Sequence, residues 1–533
     1  MTKKIRDEDA GVLRFGGGIN SRATEDQIND VECTEGQNFI LDPGNSEFRP
    51  RAPFDLIATA PNAAEIRGFV TLQKTDGTVT MLVQAGNTVY RFDGVSSFVS
   101  VGTVASTSRL RGTKEAFWAL DDVVLVTDLN LAVDIMSWNG TALTPVDFLQ
   151  SNGSDLFGNF RAKYCIVDNE RAFFANIEEN SNEFPHLLVA SERSNYLVIS
   201  ASDRPSSSLG DADPWFLPTP QLKPINGLAS LYGSLVISQE KGAFEILSGD
   251  SSKNYKLDPL HSGSGAAGDE SVVSITNDII YGTLGKIESV SSTDKYGNVE
   301  IDDISFKIKD DIEGYDSWTL VYNPSVNRVY CFPDDVGQCW VLHTDFIGSE
   351  LSPWSKWVTI HALDFQPTAV MLCRDPTNGL EYVYMGDASG NVYRMEGTGE
   401  DGDGGTSNIL SYRLSKLFSA PLDTKAFHIE GYLKHRKRLE NTAELTFQFA
   451  GEHVHDVDQT IALSQSDTLN VSVYGGSAYY GGLFYYGASQ VSRIVRREFA
   501  TPGQSNEFQI YLGIQGVNDF SLIELGFRAD IAD

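Results

Sequence analysis

The sequence predicts an all-β protein: a propeller-like array of six or seven small antiparallel sheets followed by a C-terminal β-sandwich. Three observations predict it. Glycine is frequent, at 48 of 533 residues, and aromatic residues make up 11%. That composition, rich in Val, Thr, Tyr and Phe between Gly, Asn and Asp turns, favours strands over helices. Strand-and-turn units also recur at a spacing near 50 residues. Beyond an acidic, Gly-rich loop, strands resume with apolar and polar residues in alternation, as half-buried strands require.

Residues 1–60 read as an irregular arm. Gly16, Gly17 and Gly18, the Asp42-Pro43-Gly44 turn, and Pro50 and Pro53 punctuate it, and such punctuation disfavours helix and strand interiors. Residues 61–420 read as the propeller-like domain. Its repeated unit is a short strand ending in a glycine turn. The unit stands at 88–94, 134–140, 244–249 and 391–397, with a weaker copy at 339–348. From Gly94 to Gly140 is 46 residues, from Gly140 to Gly249 is 109, from Gly249 to Gly348 is 99, and from Gly348 to Gly397 is 49. These are one, two, two and one multiples of a period typical of four-stranded blades. One blade cannot bury both its faces alone, so radial stacking is expected to supply the missing partner. Residues 401–408 form the boundary loop. Residues 421–533 read as a β-sandwich, with strands at 425–433, 443–449, 469–473, 508–514 and 522–528.

The chain carries 41 basic and 72 acidic residues, a net charge of −31. Such a chain repels free nucleic acid. The balance fits plain solubility, and equally an acidic lumen along which DNA slides without sticking. Cysteines 33, 165, 331, 339 and 373 form no Cys-x-x-Cys pair and no zinc spacing, so reduced, buried thiols are expected. The first residues lack a signal-peptide core, and no apolar run reaches the ~18 residues of a membrane span. Asn139-Gly140 and Asn152-Gly153 read as turns.

Catalytic motifs fail one by one. Gly282-Thr-Leu-Gly285-Lys286 has the wrong spacing for a phosphate-binding loop and no hydroxyl for Mg²⁺. Neither a Gly-x-Ser-x-Gly elbow nor a His-Glu-x-x-His helix occurs. His453 and His455 would share one face of a strand, but no third ligand can be placed. Glu400, Asp401 and Asp403 lack the loop length of a calcium site. The repeats of glycan-cleaving sialidase propellers are absent, although paired carboxylates on a propeller leave that chemistry open. No catalytic residue, cofactor or metal is assigned, and the chain is read as non-enzymatic.

Two segments stand out as interaction candidates. Lys434, Arg436, Lys437 and Arg438 belong to a dense basic run; a solvated edge strand explains it, and so does a patch docking on an acidic neighbour. Tyr479, Tyr480, Phe484, Tyr485 and Tyr486 flank Gly481-Gly482 in an aromatic hairpin, a composition typical of interfaces as well as cores.

Several further segments belong together. In the arm they are Phe15-Gly-Gly-Gly-Ile-Asn20, the run from Asn38 to Gly44, and Phe48-Arg-Pro-Arg51. Mid-chain they are 225–231, 240–249, the Ser/Gly-rich stretch 262–272 and 279–287. Later come Trp340 and the Trp354/Trp357 pair. In this order they resemble the tail nozzle (tail tubular) proteins of short-tailed bacteriophages. The resemblance implies a virion structural protein assembled in the bacterial host cytoplasm. It implies a homo-oligomeric, hexameric ring below the head–tail adaptor protein, with tail fibre or other tail proteins as neighbours. Double-stranded DNA would transit the ring without specific binding. A glycan-binding or glycan-cleaving phage propeller, or a cellular β-propeller scaffold, is the alternative. If the tyrosines anchor an interface, Tyr480→Ser with Tyr485→Ser abolishes assembly in sedimentation while circular dichroism stays that of a folded monomer; a misfolded monomer would assign the hairpin to a core instead.

Overall fold

The computed structural model describes residues 3–4, 11–13, 15–23, 27–41, 47–113, 116, 122–150, 158–200, 207–231, 233–240, 242–249, 251–262, 265–276, 278–292, 299–334, 336–358, 366–397, 409–415, 418–419, 425–437, 443–450, 459–463, 493–505, 507–515 and 520–532. Among them, seven four-stranded antiparallel sheets follow one another along the chain. Each begins with a strand at the hub and meanders outward. The hub strands are Ile66–Gln73, Leu110–Gly112, Phe160–Asp168, Ile225–Leu231, Val272–Ile275, Trp318–Asn323 and Ala369–Arg374, for blades 1 to 7 in turn. Neighbouring blades touch all the way round, and the hub strand of blade 7 packs against that of blade 1. The ring is therefore closed: this is a seven-bladed β-propeller.

The recurrent sequence units all fall on one structural position. They are the third strands of blades 1, 2, 4, 6 and 7: Thr88–Phe92, Met136–Trp138, Ala243–Ser248, Gln338–His343 and Asn391–Arg394. The double spacings skip blades 3 and 5, whose third strands are Asn182–Ala190 and Lys286–Ser292. The turn glycines at 94, 140, 249 and 348 have φ between +79° and +108°, a region that favours glycine.

Closure uses the arm. Blade 7 takes only three strands from the end of the array, and its outer strand is Asp55–Thr59, paired antiparallel with Asn391–Arg394. One polar cluster clasps all four strands. Arg394 donates to Asp55 Oδ2 at 3.3 Å and to Asp375 Oδ2 at 3.1 Å, and the Tyr384 hydroxyl donates to the same Asp375 oxygen at 2.9 Å.

Between blades the contacts are apolar and close. Trp318 of blade 6 lies against Gly282 of blade 5, where a β-carbon would sit 2.6 Å from the indole. The Trp318 indole N–H donates to Thr283 O at 3.1 Å. Gly282-Thr-Leu-Gly285-Lys286 is the hairpin turn of blade 5, with Thr283 opposite Lys286. Asn139 Oδ1 accepts from the Thr141 and Ala142 amides, each at 2.9 Å, as a turn residue does. All five cysteines are unpaired; four are buried and Cys165 is half-buried. Burial raises the thiol of Cys331, with Cys339 nearby adding to the shift.

The C-terminal strands form two sheets, each joined by arm strands. In the first, Lys425–Lys437 lies between Arg493–Ser505 and Phe520–Ala532, and Lys3–Lys4 and Gly11–Leu13 pair with the last of these. In the second, Glu507–Gln515 joins Leu410–Leu414 to Ala443–Ala450, with Glu35–Gln37 and Gln459–Leu463 outside them and Phe418–Ser419 also on Glu507–Gln515. Residues 469–473 lie outside the described residues.

Asp375 is fully buried and its partner Arg394 only 20% exposed. Burial opposes ionisation of Asp375, yet bonds from Thr377 and Tyr384 and the Arg394 charge hold its carboxyl below the usual range. Arg394→Ala is therefore expected to cost about 3 kcal/mol in denaturant unfolding, because it strands a buried carboxylate. Arg394→Lys should recover only part of this, since an ammonium cannot fork between two carboxylates. A cost under about 0.5 kcal/mol, the level of an exposed pair, would show that the clasp is not what holds the arm strand.

Candidate functional site

The hub strands enclose a central channel of about 1630 Å³ lined from all seven blades. Among its described lining residues, the carboxylates are Glu65, Glu178, Glu183, Glu240, Asp269, Glu270, Asp316 and Asp334, and the cations are Arg67, Arg109 and Lys163. Eight acids against three bases make the lining acidic. Part of that charge is neutralised in place, because Arg67 pairs with Glu65 at 2.8 Å and Lys163 approaches Asp269 to 3.7 Å.

The segment leading into blade 5 lines this channel and sends side chains across it. From it, Glu270 takes a two-pronged ion pair with Arg111, which stands on the hub strand of blade 2; one prong, Nη2 to Oε2, measures 2.7 Å. Arg111 also donates to Arg67 O in blade 1 at 2.9 Å. Asp269 accepts from the Tyr164 hydroxyl of blade 3 at 2.8 Å. On the other side, Leu320 N of blade 6 donates to Glu270 O at 2.9 Å. Burial opposes ionisation of Glu270, but the Arg111 charge and hydrogen bonds hold its carboxyl below the usual range. Burial, and then Asp269, push the Tyr164 hydroxyl well up. Further bonds stitch blade 3 to blade 4, blade 4 to blade 5 and, past blade 1, blade 2 to blade 7. Asn176 Nδ2 reaches Ile225 O at 2.9 Å, Asn226 Nδ2 reaches Ala266 O at 2.6 Å, and Arg109 reaches Thr368 O at 2.7 Å. The channel is thus spanned by paired charges from blades 2 and 5.

A second convergence lies where the arm meets blade 6. Gly18 N donates to Ser352 O at 2.8 Å and Ile19 N to Trp354 O at 2.9 Å. Asn38 Oδ1 accepts from Arg51 Nε at 2.9 Å and from Val358 N at 2.8 Å. The Trp357 indole donates to Phe39 O at 2.8 Å. Arg413 donates to the carbonyls of Phe15, Gly17 and Val31, and its guanidinium stands over the rings of Phe15, Phe39 and Phe48 at 5.0–5.8 Å. One buried cluster holds Phe15, Ile19, Phe39, Phe48, Trp340 and Trp354 together. The arm and tryptophan segments singled out in the sequence are therefore neighbours in space.

The structure places the sequence candidates unevenly. Lys434, Arg436 and Lys437 fall on Lys425–Lys437, which is paired on both sides, so the edge-strand expectation is corrected: Lys434 stands opposite Arg496 on one neighbour and Glu524 on the other. Arg438, the five aromatic residues at 479, 480, 484, 485 and 486, His453, His455, Glu400, Asp401 and Asp403 lie outside the described residues. The hub charges were not singled out in the sequence, although Asp269 and Glu270 lie inside one of the resembling segments. Among the described residues no group of three or more His, Cys, Asp or Glu could hold a metal ion, and no helix is long and apolar enough to cross a membrane.

No family model matches the chain, and no curated protein matches it. Solved structures are similar at the level of the propeller. YCF48 from Cyanidioschyzon merolae is 10% identical, with 64% of this chain and 98% of that one covered and a TM-score of 0.39. Virginiamycin B lyase from Staphylococcus aureus is 7% identical, with 64% and 98% covered and a TM-score of 0.40. The WD40 domain of Toxoplasma gondii coronin is 9% identical, with 68% and 86% covered and a TM-score of 0.38.

Arg111 and Glu270 are only 12% and 21% exposed. Arg111→Met should therefore cost about 3 kcal/mol, because the Glu270 carboxylate is left unpaired in the hub, while Arg111→Met with Glu270→Met should cost much less than the two single changes together. Glu270 is held low in the folded protein, so the pair's contribution is present above the ordinary Glu range and is lost as pH falls through the depressed value. Strict additivity in a double-mutant cycle would show that the two residues do not act as a pair.

Proposed function

We propose that this chain is a non-catalytic structural propeller, and that its assembly is the tail nozzle of a short-tailed bacteriophage. In that reading the two C-terminal sheets close as a β-sandwich, and copies form a hexameric ring in the virion tail, below the head–tail adaptor protein and beside tail fibre or other tail proteins. Assembly takes place in the host cytoplasm. The observation that carries the reading is the convergence of the resembling segments. Pieces at 15–20, 38–51, 340 and 354–357, spread over more than 300 residues, build one buried joint between arm and propeller. Residues kept together by one packing constraint fit a shared architecture better than a chance scatter of Gly/Trp motifs.

The hub refines the reading. Paired charges span the channel of each propeller, so a duplex does not pass through it. The conduit lies between copies, around the axis of the ring. With a net charge of −31, such a ring repels phosphates and offers few cationic traps along the path.

A cellular propeller scaffold is the second reading, favoured by the closed seven-bladed ring, which is complete without other copies and presents two faces and a rim to partners. Electron microscopy of the purified chain separates the two. Six-fold rings, and labelling of virion tails by an antibody to the chain, are the expected result. A monomer absent from any particle, with a partner in uninfected cells, would replace the nozzle with the scaffold. Glycan cleavage lost on neutralising hub carboxylates would replace both with a glycan-cleaving propeller.

A further inference from the structure

Outside the hub, one carboxylate holds an amine and a carboxamide from distant parts of the chain. Glu32 lies in the arm and is buried, at 4% exposure. Its Oε1 accepts from Lys307 Nζ at 2.6 Å, and its Oε2 accepts from Asn20 Nδ2 at 2.9 Å. Lys307 is half-buried and stands in the short helical turn Phe306–Ile308 between blades 5 and 6. Asn20 is buried and follows the glycine-rich segment of the arm. The backbone fixes the two against each other: Ser21 N and Arg22 N both donate to Lys307 O, at 3.0 and 3.3 Å. The Arg22 guanidinium stands 3.6 Å over the Phe306 ring. Gly17 leaves room for the carboxylate, since a β-carbon there would meet Glu32 Cγ at 2.7 Å. Ser352 N donates to Glu32 Oε1 at 2.6 Å and completes its seat. Ile19, Cys33, Ile308 and Trp354, from the same segments, belong to one buried apolar cluster.

An ion pair accounts for Lys307 and Glu32, but the set as a whole has a reactivity that an ion pair lacks. An amine and a carboxamide condense when a base takes a proton from the amine and an acid gives one to the leaving nitrogen, and Glu32 touches both nitrogens. The carbonyl end is also set. Asn20 Oδ1 accepts from Ala23 N at 3.3 Å, a donor placed where negative charge develops when Cγ is attacked. Holding both partners on one buried group supplies the proximity that two free side chains lack. We propose that Lys307 and Asn20 become joined by an isopeptide bond, formed once in each molecule with Glu32 as the proton carrier. Lys307 Nζ passes a proton to Glu32 and attacks Asn20 Cγ. The Nζ–Cγ bond forms and the Cγ–Nδ2 bond breaks. Glu32 hands its proton to Nδ2, and the second Nζ proton follows by the same route. The products are a secondary amide and one ammonium ion, with Glu32 returned as a carboxylate, and no further reactant enters. The bond ties the arm to the link between blades 5 and 6 and closes a loop that contains blades 1 to 5. Such a loop restricts the unfolded chain and keeps the arm in place when its hydrogen bonds open. This is a single self-modification without turnover, and it stands independently of the functional reading above.

Mass spectrometry of the purified full chain is the test. The expected result is an intact mass one ammonia below that of the unlinked chain. Trypsin should then yield a branched peptide that joins residues 15–22 to residues 296–309, uncut after Lys307. Glu32→Gln should keep the full mass and release the two peptides separately. If that variant does not fold, Lys307→Arg keeps a cation on Glu32 but offers no amine to condense, and it should keep the full mass as well. Full mass in the folded native chain after days at neutral pH, with residues 15–22 recovered as a free peptide, would overturn the proposal and leave an ion pair. So would a loss of ammonia that persists in Lys307→Arg or maps to another residue.

Discussion

A small twisted sheet with two apolar faces has no stable existence alone, and the rest of this molecule follows from that constraint. Each blade leaves one face for the blade before it and one for the blade after it. A linear stack would leave two terminal faces open. Here the seventh blade packs on the first, and the ring is completed by a strand from the other end of the array, Asp55–Thr59. The arm is thus a structural member of the propeller. Its remaining length is spent on blade 6 and on the C-terminal sheets, where Arg51 and Arg413 are buried against backbone carbonyls and phenyl rings.

Much of this was legible in the sequence, for one reason. In blades 1, 2, 4 and 6 the link from the third strand to the fourth carries a glycine at positive φ, which other residues rarely adopt. That requirement repeats at every blade with the usual turn, so Gly94, Gly140, Gly249 and Gly348 mark the period. Blade 3 stays silent because its third strand is longer, contains Pro185 and runs into Ser191 with no terminal glycine. Blade 5 stays silent because Lys286–Ser292 ends in serines. The role of Asp55–Thr59 was not legible, since five residues between prolines carry no sign of the partner some 335 positions away.

The hub was less legible still. Arg111 sits between Leu110 and Gly112, and one charge in a short strand reads as an exposed position. Only the ring brings it to Glu270, 159 residues on. The same holds for Tyr164 and Asp269. The basic run from Lys434 misled in the opposite way: charge density argues for an edge, but the backbone places the strand between two others. Charge along a strand reports side chains, whereas pairing depends on backbone groups that every residue carries. The functional reading accordingly leans on the joint between arm and blade 6, where separate sequence signals and one packed cluster coincide, more than on the hub, where the sequence offered no signal.

Closure by the arm strand is the claim on which the others rest, and amide hydrogen exchange reads it directly. If Asp55–Thr59 is an integral strand of blade 7, its bonded amides exchange as slowly as those of Asn391–Arg394, and the two lose protection together as denaturant is raised. Fast exchange of residues 55–59, with blade 7 still protected, would contradict the account.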